Sequence, residues 1–171
     1  EIMIKEMKIF VQALKQTQVE LRKEFVEAVN YTMGKLWPTL YPYEDFIGVR
    51  LAIEEGDYVL QLQERATNWI NVEGVVSGGE RSMACLALRI AFALVLAPHL
   101  RILVLDEPTA NLDSNSVKVL SRTLRESIGE FIDQCFIITH DDVFEEAVTG
   151  NAYRMERDKG KNEATRIIQI N

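Results

Sequence analysis

Two short apolar runs constrain the architecture of this chain more tightly than anything else in it. Arg101 to Glu107 reads RILVLDE, and Cys135 to Asp141 reads CFIITHD. Each is nearly continuous in aliphatic and aromatic residues, the pattern of a strand covered on both faces of a parallel sheet. Ser114 to about Phe131, between them, has the composition of a helix. Parallel strands need a crossover connection, and such crossovers are right-handed. The chain is therefore expected to be α/β around this unit. Its 171 residues and 47% hydrophobic content suit one ordinary domain with a real core.

The flanks read differently. Residues 1 to about 36 hold no proline and a single glycine, Gly34. Met3, Met7, Phe10, Leu14, Thr17 and Leu21 alternate steps of four and three, a heptad a/d seam; Phe25 and Ala28 extend it less strictly. Two readings stand side by side: an amphipathic helix packed on its own domain, or the last turns of a coiled coil entering a globular head. The stretch WPTLYPYED follows, and Pro38 and Pro42 are expected to stop the helix. Phe46 to Glu54 and Tyr58 to Gln63 read as strands, with EEGD as a hairpin turn around Gly56. A polar loop is expected to lead to Ser77. Gly79 to Ala97 is apolar nearly all round and predicts a helix buried on most sides, ended by Pro98. Asp142 to Val148 reads as a short helix. AYRMER, a turn through DKGK, and ATRIIQI read as a terminal hairpin.

Bulk properties exclude little but direct some expectations. Net charge is −7, so bulk charge gives no support for nucleic-acid binding, although a local basic patch remains open. Cys85 and Cys135 lie far apart in apolar surroundings, which suggests buried thiols rather than a metal site or a disulfide framework. No apolar run has the length of a membrane span, and the N-terminal charges do not suit a signal peptide. The default expectation is a cytoplasmic protein. The sequence opens on Glu1 rather than Met, which leads us to expect a fragment or processed piece.

The chemistry-bearing residues cluster at strand and helix ends. Asp106 and Glu107 close an apolar strand, where open α/β sheets bind ligands. An apolar strand ending in two acids is the Walker B pattern: Asp106 would hold Mg²⁺, directly or through water, and Glu107 would polarise the water that attacks a γ-phosphate. Alone, LDE is as well read as a strand ending in a solvated acidic turn. His140, at the end of the next strand, could donate a hydrogen bond to a γ-phosphate oxygen, or be an ordinary structural histidine. His99 follows Pro98 in a surface turn and receives no role. Ser77, Gly78, Gly79 and Glu80 open the apolar helix; a hydroxyl, close backbone approach and helix-end amides suit an anion there. Alone, the same residues read as a plain helix cap. A P-loop lysine in the pattern G-x-x-x-x-G-K-[ST] is absent from the chain.

Order and spacing change the weights. SGGER, about twenty helical residues, LVLDEPTANLD and then ITHD follow one another compactly. These residues resemble the signature motif, Walker B, D-loop and H-loop of ABC-type ATPase heads, over roughly residues 75 to 145. A transporter subunit would carry its P-loop in the same continuous chain. Here a heptad helix and a hairpin precede the signature, which resembles the C-terminal half of an SMC-like coiled-coil ATPase. Chromosome-organising SMC proteins typically show a valine-aspartate-alanine run after the catalytic pair. This chain has Pro108 and Thr109 instead, and DEPTANLD and SGGERSMACLALRIAFAL resemble the double-strand-break repair ATPase of the Rad-fifty type. An SMC-type chromosome-organising head, or another ABC ATPase, is the alternative.

That resemblance implies an α/β fold, the C-terminal lobe of an ABC-type head over residues 37–171, with the end of a coiled-coil helix over residues 1–36. It implies ATP and Mg²⁺ as cofactors and the P-loop half of the same protein as partner. It implies a two-fold dimer of heads sandwiching two ATP molecules. Ser77 and the amides near Gly79 would then reach the γ-phosphate held by the opposite protomer, with Asp113 near the same interface and Glu107 acting in cis. Arg89, eight residues after Arg81, stands where the family has an arginine coupling ATP binding to head movement; two arginines with packed stems and solvated heads is the other reading. A nuclease subunit docking near residues 1–36, DNA at the heads, and a nucleoid-associated or nuclear location are also implied. No cysteine pair suits the family's zinc hook, so no zinc is expected. A structural module that scaffolds a coiled coil and never hydrolyses ATP is the competing class, and this chain alone is expected to be inactive.

Overall fold

In the computed structural model, residues 2–65, 68–110, 112–126, 128–143, 148–157, 160 and 163–170 are described. A long helix, α1 (Ile2–Leu40), is followed by strands β1 (Phe46–Glu54), β2 (Asp57–Glu64) and β3 (Trp69–Asn71). Then come α2 (Gly78–Leu96), β4 (Ile102–Asp106), α3 (Ser114–Glu126), a short 3₁₀ turn (Ile128–Glu130) and β5 (Gln134–Ile138). The hairpin β6 (Tyr153–Glu156) and β7 (Arg166–Gln169) closes the order.

The head core is built on the second half of α1. Val29 and Met33 are fully buried, and Val26, Leu36, Trp37 and Leu40 nearly so. Met3, Met7, Phe10, Leu14 and Leu21 of the heptad seam are all exposed. On a helix of 3.6 residues per turn, the seam and the buried stripe lie roughly 110° apart. One helix thus carries two apolar faces, and the seam is not the one that packs on the head. Phe25 meets Phe92 of α2 with ring centroids 5.6 Å apart.

The helix does not stop at Pro38; it runs through it to Leu40. Proline removes one helical hydrogen bond and crowds the carbonyl four residues back. Burial of Trp37 and Leu40, each 1% exposed, outweighs that cost. The Trp37 indole also donates to the Phe46 carbonyl at 2.9 Å, tying the last turn to β1.

β1, β2 and β3 form an antiparallel sheet in that order. The predicted turn is present: Glu55 and Gly56 both have positive φ, 51° and 96°, as a two-residue hairpin turn requires. β3 lies in what reads as a polar loop, because three residues are too few for a periodic signal. β1 is an edge strand, and α1 covers its free backbone with one side chain. The Asn30 amide donates to the Leu51 carbonyl at 2.9 Å and accepts from the Leu51 N–H at 2.7 Å. Arg22 donates to the Gly56 carbonyl and stacks over the Tyr58 ring, holding the hairpin tip against the same helix.

β4 and β5 pair in parallel, Ile102 opposite Gln134 through Asp106 opposite Ile138. α3 ends at Glu126, earlier than the expected Phe131, and the 3₁₀ turn takes up the remainder. The strands are not buried on both faces. Leu103 and Leu105 lie in the core, whereas Val104 is 62%, Phe136 50% and Ile138 57% exposed. The continuous apolar run therefore has one covered face and one uncovered face in this chain. The terminal hairpin is present, with Tyr153 opposite Gln169, and Tyr153, Met155, Ile167 and Ile168 exposed. Of the expected short helix, residues 144–147 lie outside the described residues; so do 158, 159 and 161 of the expected DKGK turn. No helix among the described residues is long and apolar enough to cross a membrane.

Candidate functional site

The carboxyl ends of β4 and β5 bring two of the expected residues together. Their parallel register puts Asp106 opposite Ile138. The Glu107 N–H donates to the Ile138 carbonyl at 2.8 Å, carrying the ladder one residue past the strand. Glu107 then adopts φ of 46°, a left-handed conformation that a side chain occupies at a cost of about 1–3 kcal/mol. The turn it starts closes where the Ala110 N–H donates to the Glu107 carbonyl at 3.2 Å. That turn aims the carboxylate at the neighbouring strand end. His140 Nδ1 stands 2.8 Å from Glu107 Oε2, an oxygen shielded from solvent and with no other hydrogen-bond partner among the described residues. The hydrogen bond and charge of Glu107 hold the His140 imidazole above its usual pKa, with Asp141 adding to the effect.

Asp106 ends β4 exposed, beside this pair. An exposed carboxylate oxygen at a strand end is a suitable ligand for a hard cation such as Mg²⁺. No group of three or more His, Cys, Asp or Glu that could hold a metal is present among the described residues.

Ser77 caps α2 in a full capping box. The Ser77 N–H donates to Glu80 Oε2 at 2.7 Å, and the Glu80 N–H meets Ser77 Oγ at 3.5 Å. Glu80 is thereby committed to the cap, while the long contact leaves the Ser77 hydroxyl nearly free for another partner. A Cβ placed on Gly79 would meet nothing within 4 Å. Its own fold does not demand a glycine there, so the open space lies toward the outside. Arg81 and Arg89 are both exposed on α2, and neither forms an ion pair among the described residues. No hydrogen bond or ion pair among the described residues joins Ser77–Glu80 to Glu107 or His140.

Asp113 caps α3. Its Oδ1 accepts from the Asn115 and Ser116 N–H groups at 2.8 and 2.9 Å, and Oδ2 accepts from Ser116 Oγ at 3.0 Å. The Ser116 donors, followed by Asn115, hold its carboxyl below the usual pKa. Asn111 of the TANLD stretch lies outside the described residues. Thr109 is buried.

Several residues at the site carry no motif that sequence reasoning could catch. Ser82 Oγ donates to the Ala110 carbonyl at 3.2 Å, fastening the start of α2 to the segment after Glu107. Asn115 Nδ2 donates to the Tyr43 hydroxyl at 2.6 Å across 72 positions of sequence. Only the S-x-x-E pattern of the cap and the D-x-x-S pattern around Asp113 were readable as local hydrogen-bond signals.

The chain has relatives among known proteins, in sequence and in fold. No family model matches the chain. It is 31% identical over 147 residues to the DNA double-strand break repair Rad50 ATPase of Methanopyrus kandleri, covering 85% of this chain and 16% of that protein. It is 26% identical over 185 residues to the DNA repair protein rad50 of Schizosaccharomyces pombe, covering 94% of this chain and 14% of that one. The chain therefore spans about a seventh of the length of these relatives. Its fold matches a solved SMC ATPase chain from work on ATP-driven dimerization and DNA-stimulated activation, with TM-score 0.69, 22% identity, and 90% of this chain and 89% of that chain covered. It also matches the Smc head domain with a coiled coil and joint from Pyrococcus yayanosii, with TM-score 0.69, 20% identity, and 95% and 30% covered. In sequence the chain is similar to Rad50 ATPases and in fold to SMC ATPase head domains, a combination consistent with the C-terminal part of a Rad50-type head.

Proposed function

We propose that this chain is the C-terminal lobe of an ATP-hydrolysing head that closes on ATP to regulate DNA double-strand-break processing. The observation that carries the reading is the uncovered face of β4 and β5. A parallel sheet is stable when covered on both faces, and Val104, Phe136 and Ile138 are more than half bare or at the half-way mark. The P-loop half of the same protein is the partner proposed for that face. Its nucleotide would then lie at the carboxyl ends of β4 and β5, beside Asp106, Glu107 and His140.

The geometry supports one division of labour. Glu107 orients and polarises the attacking water, its carboxylate fixed by the left-handed turn and by His140. His140, held toward its protonated form, can offer a hydrogen bond to a γ-phosphate oxygen. Asp106 is this chain's ligand for Mg²⁺, which when bound neutralises phosphate charge. Ser77 and Gly78 are exposed and Gly79 has room beside it, with a helix N-terminus behind them, an arrangement suited to a γ-phosphate arriving on a second head. Glu80 holds the cap in shape, and Asp113 stands at the same inter-head face. Arg81 and Arg89, exposed on α2, are the candidates for coupling that contact to head movement.

The exposed heptad seam of α1 suits a coiled-coil partner helix, with residues 1–36 as the end of the coil and 37–171 as the lobe. A nuclease subunit near the base of the coil and DNA at the heads extend the reading as the family resemblance implies, and the DNA-repair names of the relatives support a nuclear or nucleoid location. Glu107→Gln in the two-half head tests it. ATP-driven head association should persist while turnover falls by at least about 100-fold, the range for loss of a positioned base. Normal turnover in that variant would remove Glu107 from its role.

A further inference from the structure

α3 is fastened at two points, one in the last turn of α1 and one in the segment just after it. The Thr123 hydroxyl donates to the Thr39 carbonyl at 3.0 Å. Thr39 lies in the last turn of α1, where carbonyls have no partner within the helix. The second point is the Asn115 amide on the Tyr43 hydroxyl at 2.6 Å. Tyr43 is held from behind. Its ring meets Tyr41 edge-on with centroids 4.9 Å apart, and Tyr41 stacks on Trp37 at 4.8 Å with planes 16° apart. Trp37 is buried in the core stripe of α1. An aromatic ladder thus runs from α1 to the Tyr43 hydroxyl.

On the other side of that hydroxyl stands Asp113. The Asn115 N–H is one of the two backbone donors to Asp113 Oδ1. Capping α3 does not require the Asn115 side chain, because the Asn115 and Ser116 donors to Asp113 already provide the cap. An exposed amide is pinned here against its conformational entropy, and what it fixes is the residue beside the Asp113 carboxylate. Ser82 ties the preceding segment to α2 through the Ala110 carbonyl. The Asp113 loop is therefore gripped from the signature helix on one side and from the end of α1 on the other.

We propose that Tyr43 is a positioning residue for Asp113, carrying the set of the last turn of α1 to the inter-head face through Asn115. The functional half of this inference rests on the reading of Asp113 given above; the positional half does not. The test is Tyr43→Phe, which keeps the ring ladder and removes the hydroxyl, made in the complete head that joins this chain to its P-loop half. Thr123→Val releases the other fastening point and serves as a second variant. Amide exchange is read without nucleotide. Asn115 and Ser116 should exchange roughly tenfold faster in Tyr43→Phe, with the α2 amides unchanged. In turnover, kcat should fall by at least about threefold while KM for ATP stays within about twofold. Unchanged exchange overturns the positional inference whatever turnover does. Faster exchange with unchanged kcat, in a head that hydrolyses ATP, overturns the functional half. If the unsubstituted head hydrolyses no ATP, the ATPase reading has failed, and exchange still decides whether Tyr43 positions Asp113.

Discussion

Glu107 occupies a backbone conformation that few side chains adopt, and it does so where its carboxylate reaches His140. Strain of that kind persists only where the surroundings over-determine it, here the Ile138 carbonyl and the Ala110 turn. The pair has a consequence for pH. The folded-state pKa of His140 is raised, so the contribution of the pair to stability is present in full below the ordinary imidazole value of 6.5 and is lost as pH rises through the raised value. Observed by NMR in this chain, the His140 imidazole should titrate above 6.5, and Glu107→Gln should bring the midpoint down toward it. A midpoint unmoved by the substitution would show that Glu107 does not govern the imidazole. Asp106, Glu107 and His140 were legible as strand-end residues in the sequence. The left-handed turn that joins two of them was not, because no local residue preference announces a positive φ at glutamate.

At the scale of elements, regular periodicity was readable and its tertiary exceptions were not. The β1–β2 hairpin followed from EEGD, and both parallel strands followed from their apolar runs. β3 and the passage of α1 through Pro38 depended on packing that no window of sequence contains. Local propensity argued for a break at Pro38, and burial of Trp37 and Leu40 prevailed. Trp37→Ala should therefore destabilise the chain by about 3–5 kcal/mol, read by denaturant unfolding, because a fully buried ring and its hydrogen bond to Phe46 are both lost. A loss below about 1 kcal/mol would mean that the last turn of α1 is held by something else. The same helix shows why a seam cannot be assigned from heptads alone. Its spacing marks an apolar face, but only the fold reveals that the head uses a different face of the helix.

At the scale of the whole molecule, the parallel strands leave apolar side chains bare on the side that faces away from the core. Bare Val104, Phe136 and Ile138 predict a second lobe more directly than any motif does. Val104→Lys should leave the unfolding of this chain within about 0.5 kcal/mol, since the position is exposed. It should weaken association with the P-loop half by at least about tenfold, measured by calorimetric titration. Unaltered association would place the P-loop half on some other surface. The sequence could state the absence of the P-loop lysine, but a strand that reads as buried on both faces hides which face its own chain leaves bare. The most direct test of the whole reading is the rate of phosphate release from ATP and Mg²⁺ by this chain alone and by this chain mixed with its P-loop half. No turnover is expected from the chain alone and sustained turnover from the mixture; turnover by the chain alone, or none from a mixture shown to associate, would contradict an ATPase head assembled from two halves.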